Sequence, residues 1–231
     1  AIPGWMGGAI KYNLKVVGLG PWDEDGINLS VRPDSDIAKA GKGKISSNPG
    51  ILGDASLWKG KNILIPSGTT LHMVLIATLQ SMGLTEKDVK ITNIDVASGY
   101  TAFKAGKGDV VGSWTLHSVY NQNDGNVVAS SAIAVGLQIP IIICASDKVM
   151  KENPQLIEKF LKAYGKAAEY QEKNKVEAAE VMANFNNDNG FKTDMKSCLE
   201  LIKNRKTPAY SEQMKLFKDG KIAEMVKSNL D

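Results

Sequence analysis

The sequence predicts an α/β fold, because short apolar runs alternate with stretches whose apolar residues recur at helical spacing. The alternation is most regular from Lys61 to Ser130. Repeated strand–helix units favour a mixed or parallel sheet covered by helices on both faces. The chain has 231 residues, which is enough for one large domain or for two lobes. Open sheets of this class bind ligands at the carboxyl ends of their strands.

Charge and composition exclude several classes of function. The 28 basic and 25 acidic residues give a formal net charge of +3 and are dispersed along the chain, which provides no electrostatic argument for nucleic-acid binding. No apolar run reaches the length of about 18 residues that a membrane span needs. No charged and then apolar leader opens the sequence, so we expect either a cytosolic protein or one whose leader has been removed.

The cysteines, histidines and acidic residues predict neither a disulfide nor a metal site. Cys144 lies in an apolar strand pattern and Cys198 in a helix pattern, so we expect two buried free thiols. His72 and His117 are not near a cysteine in sequence, and no metal-ligand spacing joins these residues. The acidic run Asp23–Asp25 is expected to be a solvated loop rather than a cation site.

The N-terminal third is predicted to contain two strands and a long connection. Leu14–Leu19 is an apolar run, and Gly20–Gly26 is expected to be a loop because glycine, proline and acidic residues interrupt the pattern. Ile27–Val31 is the second predicted strand. The polar, glycine-rich stretch Arg32–Gly53 is expected to be a loop with at most a short helix. Asp54 or Ser56 is then expected to cap a helix.

A strand, a tight turn and a helix are predicted between Lys61 and Leu84. Asn62–Ile65 is a short apolar run, Pro66–Thr70 interrupts it, and apolar residues then recur at helical spacing until Gly83. The turn therefore follows the carboxyl end of a strand, which makes it the first candidate ligand site.

Five residues of this turn and helix are candidate ligand contacts. Gly68 permits a backbone conformation that other residues disfavour, and Ser67, Thr69 or Thr70 can cap the helix while leaving further N–H groups unpaired. Those N–H groups, at the positive end of the helix dipole, can hold an anion. His72 adds an imidazole one turn into the helix, where a polar contact within the protein is the alternative. Most turns of this kind bind no ligand.

The remainder of the alternating region supplies a second candidate loop. The predicted elements are a strand at Val89–Val96, a helix at Ser98–Ala105, a strand at Asp109–Trp114, a short helix at Leu116–Asn121 and a strand at Val127–Ser130. Ser113, Trp114 and Thr115 follow a strand and offer an indole between two hydroxyls. Packing in the core is an equal alternative for Trp114.

The last third changes from alternating elements to helices. Ile139–Ala145 is the most apolar predicted strand, and a helix is expected to start at Ser146 or Asp147. Asn153 and Pro154 mark a second helix start. Further helices are expected from Lys175 to Asp231, and their charged faces are expected to be solvated.

Four ordered segments resemble one family of proteins. They are Leu57–His72 (LWKGKNILIPSGTTLH), Gly83–Val89, the approach from Ala105 to Trp114, and Asn153–Ala163. In order and spacing they resemble the substrate-binding proteins of the nitrate, sulfonate and taurine type of ABC importer. The resemblance covers roughly residues 14–185.

The resemblance implies a two-lobed periplasmic-binding-protein type II architecture, with a ligand cleft between lobes joined by two crossover strands. One lobe would be residues 27–138, and the other would combine residues 1–26 with 139–231. The family has further strand–helix units before the point that matches Ala1, so the first lobe is expected to be incomplete here, with an N-terminal segment missing. Unpaired sheet edges would then be an aggregation hazard.

The resemblance also implies site residues and a function. Gly68, Thr69, Thr70 and His72 match the helix start that contacts the ligand, and Trp114 matches a tryptophan of the second lobe. The family commonly continues from that tryptophan with an acidic residue, a proline and an aromatic residue. This chain has Thr115, Leu116 and His117 there, which leaves the size and charge of the ligand open.

The implied function is capture of a small organic anion and its delivery to a membrane permease. The full-length protein would be monomeric, without cofactor or catalytic residues, and located in the periplasm or outside the cell, free or tethered by a lipid.

Two other functions remain as alternatives. An enzyme of cofactor-precursor metabolism, of the pyrimidine or thiamine type, can have the same fold. It would need catalytic groups, yet the sequence shows neither paired carboxylates nor metal-ligand spacing. A ligand-sensing module of a regulator would need an output domain, and these residues contain no pattern for one.

Overall fold

The computed structural model describes residues 8–22, 26–205 and 207–227 of the chain. Contacts divide the protein into two units, one of Ala1–Asp23 with Ile139–Asp231 and one of Glu24–Gln138. We call the second of these the central unit and the first the terminal unit. The acidic run predicted to be a loop at 23–25 lies outside the described residues.

Strands and helices alternate through the central unit, and helices dominate the terminal unit. The strands are β1 (Leu14–Trp22), β2 (Asn28–Val31), β3 (Asn62–Ile65), β4 (Lys90–Asn93), β5 (Val110–Ser113), β6 (Val127–Ser131) and β7 (Pro140–Ser146). The helices are α1 (Asp36–Ala40), α2 (Ala55–Trp58), α3 (Thr70–Gln80), α4 (Val96–Lys104), α5 (Thr115–Asn123), α6 (Asp147–Glu152), α7 (Pro154–Lys173), α8 (Lys175–Asp188), α9 (Met195–Asn204), α10 (Tyr210–Lys218) and α11 (Lys221–Lys227). Short 3₁₀ turns lie at Glu86–Asp88 and Ile133–Val135.

The five strands of the central unit form one mixed sheet in the order β4-β3-β5-β2-β6. β3 pairs in parallel with β4 and β5, whereas β2 runs antiparallel to β5 and β6. The carboxyl ends of β3, β4, β5 and β6 therefore lie at one edge, which we call the carboxyl edge, together with the amino end of β2. The prediction of a mixed or parallel sheet is confirmed, and the sheet is mixed.

Helices cover both faces of this sheet, as predicted. On one face α3 packs closely, because a Cβ on Gly112 would lie 2.5 Å from Ile65 Cγ2 and 3.2 Å from Leu71 Cδ2. On the other face, Phe103 of α4 packs against Leu64 and Val111. Gly112 and Val111 are neighbours in β5, so their side chains point to opposite faces.

Two predicted boundaries are wrong, for reasons of pairing and capping. The loop predicted from Gly20 instead continues β1 to Trp22, because β1 pairs with β7 through two register shifts that accommodate glycine and proline. Gly20 is also required there, since a Cβ would lie 2.9 Å from Ile141 Cγ2. The strand predicted at Val89–Val96 ends at Asn93, because Asp95 accepts the Ser98 N–H at 3.0 Å and starts α4.

The terminal unit contains the antiparallel pair of β1 and β7 and the helices from α6 onward. Leu19, Ile222 and Met225 form a buried cluster on which Trp22 and Ile142 pack. Both cysteines are free thiols; Cys198 is buried as predicted, but Cys144 is only partly buried. Burial raises the pKa of both thiols. None of the helices in the described ranges combines the length and apolar character of a membrane span.

Arg32 follows β2 and lies at the edge of the sheet opposite the carboxyl edge. Its guanidinium donates to three backbone oxygens at the end of α4, those of Gly108 at 2.9 Å, Phe103 at 3.0 Å and Lys107 at 3.1 Å. Its Cζ also lies 4.1 Å from the centroid of the Phe103 ring. One side chain thus ties the end of β2 to the end of α4 and to the loop that follows it.

We expect Arg32→Ala to lower the free energy of unfolding of the central unit by about 1.5–3 kcal/mol, the range for hydrogen bonds to a charged group. Arg32→Lys should recover only part of the loss, because an ammonium lacks the planar fork of donors. Urea titration followed by circular dichroism measures both. Lys104→Ala, which removes an exposed ion pair with Asp124, is the control and should change stability little. Equal effects of Arg32→Ala and Lys104→Ala would contradict this role.

Candidate ligand site

The turn between β3 and α3 is built around a glycine with positive φ. Gly68 has φ +71°, and no described atom lies within 4 Å of where its Cβ would be, so the backbone angle alone requires glycine. The Ser67 N–H donates to Asn93 Oδ1 at 2.9 Å, and the Gly68 N–H donates to His72 Nδ1 at 3.1 Å. The turn is thus fixed both to the end of β4 and to the first turn of α3.

The helix cap predicted at this turn is wrong. Thr69 occupies the N-cap position, but its hydroxyl donates to the Pro66 carbonyl at 2.7 Å, and no described side chain caps α3. Within the part of the chain that the structure describes, the N–H groups of Thr70 and Leu71 have no acceptor. Thr70 itself is only 3% exposed. Leu71 is 0% exposed, so two backbone donors are unpaired at a buried helix start.

His72 makes its observed contacts within the protein. Because Nδ1 accepts from Gly68, Nε2 carries the hydrogen, and it lies 2.6 Å from Glu86 Oε1. His72 thus ties the turn to the 3₁₀ turn that contains Glu86. This is the alternative that the sequence left open, and a direct ligand contact by His72 stays a prediction.

The second predicted loop is a sharp corner between β5 and α5. Ser113 is fully buried at the end of β5, and half-buried Trp114 is the N-cap residue of α5. Thr115 follows with φ +55°, a conformation that is a genuine outlier for a β-branched residue. Strained residues of this kind persist only where the surrounding structure holds them, and they cluster at functional sites.

The two candidate segments meet at the carboxyl edge of the sheet. β3 and β5 are adjacent parallel strands, so the turn at 66–70 and the corner at 113–115 follow neighbouring strand ends. α5, like α3, has no cap from a described side chain. The other α-helices of the central unit are capped by Ser35, Asp54 and Asp95.

The chemistry of this edge suits an anion. Two neighbouring helix N-termini without side-chain caps place the positive ends of their dipoles at this edge. None of the residues 66–72 or 113–116 is acidic. The indole of half-buried Trp114 adds a hydrogen-bond donor and an apolar surface. The arrangement can hold an anion with a small apolar part.

Sequence reasoning missed Asn28, which lies beneath this edge. Asn28 is fully buried, its Nδ2 donates to Ser118 Oγ at 2.7 Å, and its Oδ1 accepts from Ser113 Oγ at 3.2 Å. A signal was available, because Asn28 and Ser30 alternate with the apolar residues of β2. Such alternation usually indicates a solvated face. Here all four residues of the strand are buried, and the polar face contacts α5.

A hollow of about 300 Å³ at the opposite edge of the sheet is a poorer candidate for an anion. Its lining includes Asp34, Asp36 and Asp109 as well as Arg32 and Lys61, so carboxylates offset the basic groups. Across the described ranges, no three or more histidine, cysteine, aspartate or glutamate residues lie close enough together to hold a metal ion.

Three rings pack together between α4 and α5. The ring centroids of Tyr100, His117 and Tyr120 lie 5.7 to 6.0 Å apart. Burial lowers the pKa of His117, and the carboxylate of Asp95 opposes that shift. Burial also raises the pKa of Tyr100, whose hydroxyl donates to Asp124 at 2.7 Å. A neutral imidazole is therefore favoured at position 117.

We expect stability to fall as the pH drops from about 7.5 to about 5.5, because the unfolded chain, with a histidine pKa of about 6.5, then binds the proton that folded His117 resists. The stabilisation is fully present above the unfolded pKa and is lost as the pH falls through the lower folded value. His117→Gln should reduce the dependence of the free energy of unfolding on pH over this range, as measured by urea titration at each pH. An unchanged slope would contradict the assignment.

The chain is similar to a protein of Brachyspira hyodysenteriae (strain ATCC 49526 / WA1) that is named as a candidate ABC transporter periplasmic binding protein. The two are 29% identical over 210 residues, which are 91% of this chain and 60% of that protein. This chain therefore spans about 60% of the length of that relative.

Solved structures show the same fold at low sequence identity. The periplasmic aliphatic sulphonate binding protein SsuA from Escherichia coli aligns with a TM-score of 0.73 and 17% identity, over 90% of this chain and 61% of that chain. The desulfurization enzyme DSZB aligns with a TM-score of 0.62 and 12% identity, over 92% of this chain and 70% of that chain. The fold is thus that of SsuA-type periplasmic binding proteins, and a binding protein and an enzyme both occur on it.

A family profile described as "NMT1/THI5 like" matches residues 53–178. These residues are more than half of the chain, and they include both candidate segments of the carboxyl edge. The resemblance to binding proteins of ABC importers is confirmed by this match together with the relative and the structures above. The chain belongs to the NMT1/THI5-like family.

Proposed function

We propose that this chain is the larger part of an extracytoplasmic solute-binding protein that delivers a small organic anion to the permease of an ABC importer. The observation that carries the proposal is the pair of neighbouring helix N-termini, of α3 and α5, that lack caps from described side chains. The name of the Brachyspira relative supports the transport role. We further propose that the central and terminal units are the two lobes of such a protein.

The ligand is proposed to bind by its anionic group at the turn and by its apolar part at the corner. The N–H groups of Thr70 and Leu71, with the Thr70 hydroxyl, would receive the anion. The half-buried ring of Trp114 would contact the apolar part, and Ser113 and Thr115 would flank it. A sulfonate or a carboxylate satisfies this chemistry, and the name of the Escherichia coli neighbour favours an aliphatic sulfonate.

An enzyme is the second candidate, because DSZB shares the fold. The proposed site supplies amides, hydroxyls and an indole, whereas both cysteines lie in the terminal unit. His72, the imidazole nearest the turn, is engaged with Gly68 and Glu86. A site of this composition is suited to holding an anion rather than to nucleophilic or general acid–base catalysis.

The variant Thr69→Asp is expected to raise stability and to abolish ligand binding, so it distinguishes the two effects. A carboxylate at the N-cap would accept hydrogen bonds from the unpaired N–H groups of α3. We expect it to raise the free energy of unfolding by about 1 kcal/mol. The same carboxylate would occupy and repel the site of the anion. Thermal shifts of the whole protein with alkanesulfonates, taurine, nitrate, bicarbonate and aromatic carboxylates identify a ligand, and Thr69→Asp should abolish its shift.

Thr69→Ser is the matched control, because it retains the hydroxyl that donates to Pro66. It should keep the ligand-induced shift, which is about 2.7 kcal/mol for a ligand at a hundred times its Kd. If Thr69→Asp binds the ligand as well as Thr69→Ser does, the N-terminus of α3 is not the anion site. Chemical conversion of the compound in the same samples would favour the enzyme.

The terminal unit exposes an unusual number of large apolar side chains. Leu156 and Phe160 of α7 are 54% and 51% exposed, and Val181 and Phe185 of α8 are 62% and 67% exposed. Each pair lies four residues apart and so shares a helix face. Large exposed apolar groups usually mark a surface that contacts another segment. Ile141–Ile143 of β7 are also only partly buried.

We propose that the N-terminal segment of the whole protein covers these side chains and completes the first lobe. The relative of Brachyspira hyodysenteriae is longer than the matched region, and β7 has only β1 as a neighbour among the described strands. An isolated pair of strands is marginally stable in water, so additional strands beside β7 would strengthen the unit.

The isolated 231-residue chain should bind the dye 8-anilinonaphthalene-1-sulfonate strongly, because its apolar side chains are open to solvent. The whole protein should show much weaker dye fluorescence, and backbone amides of β7 should exchange more slowly with deuterium. Residues 62–65 in β3, which are paired on both sides, serve as the internal control. Equal dye binding and equal exchange in both samples would contradict the proposal.

A further inference from the structure

We propose that Asn28 is a positioning residue that holds the strained corner at Thr115 and thereby orients Trp114 toward the ligand. The inference deepens the proposed function and, for the ligand, rests on it. The corner is the segment 113–115 at the end of β5, from which α5 continues.

One amide side chain bridges the two sides of the corner. Asn28 stands directly opposite Ser113 in the pairing of β2 with β5. Its Oδ1 accepts from Ser113 Oγ at 3.2 Å, and its Nδ2 donates to Ser118 Oγ at 2.7 Å. Ser113 is the first residue of the corner and Ser118 lies beyond it in α5, so the amide fixes the separation between the strand end and the helix.

The bridge is buried, which makes it strong and specific. Asn28 and Ser113 are 0% exposed, and Ser118 is 2% exposed. Water is therefore excluded from competing for these hydrogen bonds, and loss of one partner would leave buried polar groups unsatisfied. Ser30 also donates to Asn28 Oδ1, at 3.3 Å.

The corner needs such support because its own geometry is unfavourable. Thr115 has φ +55°, a strained conformation that persists only where neighbouring contacts determine it. No described side chain caps α5, so a local cap does not supply the constraint. Trp114, between Ser113 and Thr115, takes its direction from the same backbone.

The asparagine amide carries its acceptor and its donor on two separate atoms of one uncharged group, so one side chain can pair with both serines. Alanine at position 28 would remove both functions, and leucine would fill a similar volume without either. The two hydrogen bonds explain why a polar residue stands in a buried strand, where an apolar residue would otherwise be expected.

A double-mutant cycle tests whether Asn28 carries the strain. Thr115→Gly removes the cost of positive φ, so relaxation of the corner releases no strain in that background. In the wild-type background, the strain released when Asn28 is lost offsets part of the loss of its hydrogen bonds. We therefore expect Asn28→Ala to lower the urea midpoint of the whole protein clearly more in the Thr115→Gly protein than in the wild type. Equal shifts in the two backgrounds would overturn the proposal.

Thr78→Val is the matched control. Thr78 is also fully buried, and its hydroxyl lies 2.7 Å from Ser130 Oγ, on the face of the sheet that α3 covers. Removing this buried hydroxyl should lower the midpoint by the same amount in both backgrounds. A Thr78→Val shift that also depended on Thr115→Gly would show a general loss of stability and overturn the proposal. Asn28→Leu, which preserves volume, provides a second variant if Asn28→Ala fails to fold.

Binding of 1-pentanesulfonate to the whole protein provides the second readout. We expect Asn28→Ala to raise the Kd about tenfold, which corresponds to about 1.4 kcal/mol of binding free energy. Thr78→Val should leave the Kd unchanged. Equal weakening by both variants would mean a merely structural role. If the wild-type protein binds none of the anions in the thermal-shift panel, the proposed function fails, and the double-mutant cycle alone decides whether Asn28 holds the corner.

Discussion

The parallel pairing of β3 with β5 is the constraint on which the candidate site depends. Because the two strands are adjacent and run the same way, the segments that follow them start at one edge of the sheet. Gly112 lets α3 lie close to β5, since any side chain there would overlap Ile65. The antiparallel pairing of β5 with β2 places Ser113 opposite Asn28. The turn, the corner and the residue beneath the corner therefore share one framework.

The helix starts at the candidate site lack a local stabilisation that the other α-helices of the central unit have. Ser35, Asp54 and Asp95 cap their helices, while α3 and α5 receive no cap from described side chains. A cap is worth about 1 kcal/mol. Two neighbouring helices therefore start without this stabilisation, and strain at Thr115 adds to the cost. Stability that is forgone at one edge is characteristic of a binding surface.

The terminal unit follows a different principle. Its buried cluster around Leu19 and Ile222 holds β1 and the last helices together, but α7 and α8 leave large apolar side chains in solvent. A sheet of two strands gives these helices little surface to cover. The central unit, by contrast, has a five-stranded sheet with helices on both faces. The contrast fits a chain that spans about 60% of its relative from Brachyspira hyodysenteriae.

The sequence by itself determined the alternation of strands and helices, the turn at Gly68 and the family, because periodicity, glycine and short ordered segments are local signals. The tertiary structure decided which hydrogen-bond partners the polar side chains have. The Thr69 hydroxyl bonds to Pro66 instead of capping α3, and the Gly20–Pro21 interruption is absorbed into a strand by pairing with β7. Asn28 meets Ser113 and Ser118 across 85 and 90 positions of sequence. Such contacts depend on how strands and helices pack, which local patterns do not encode.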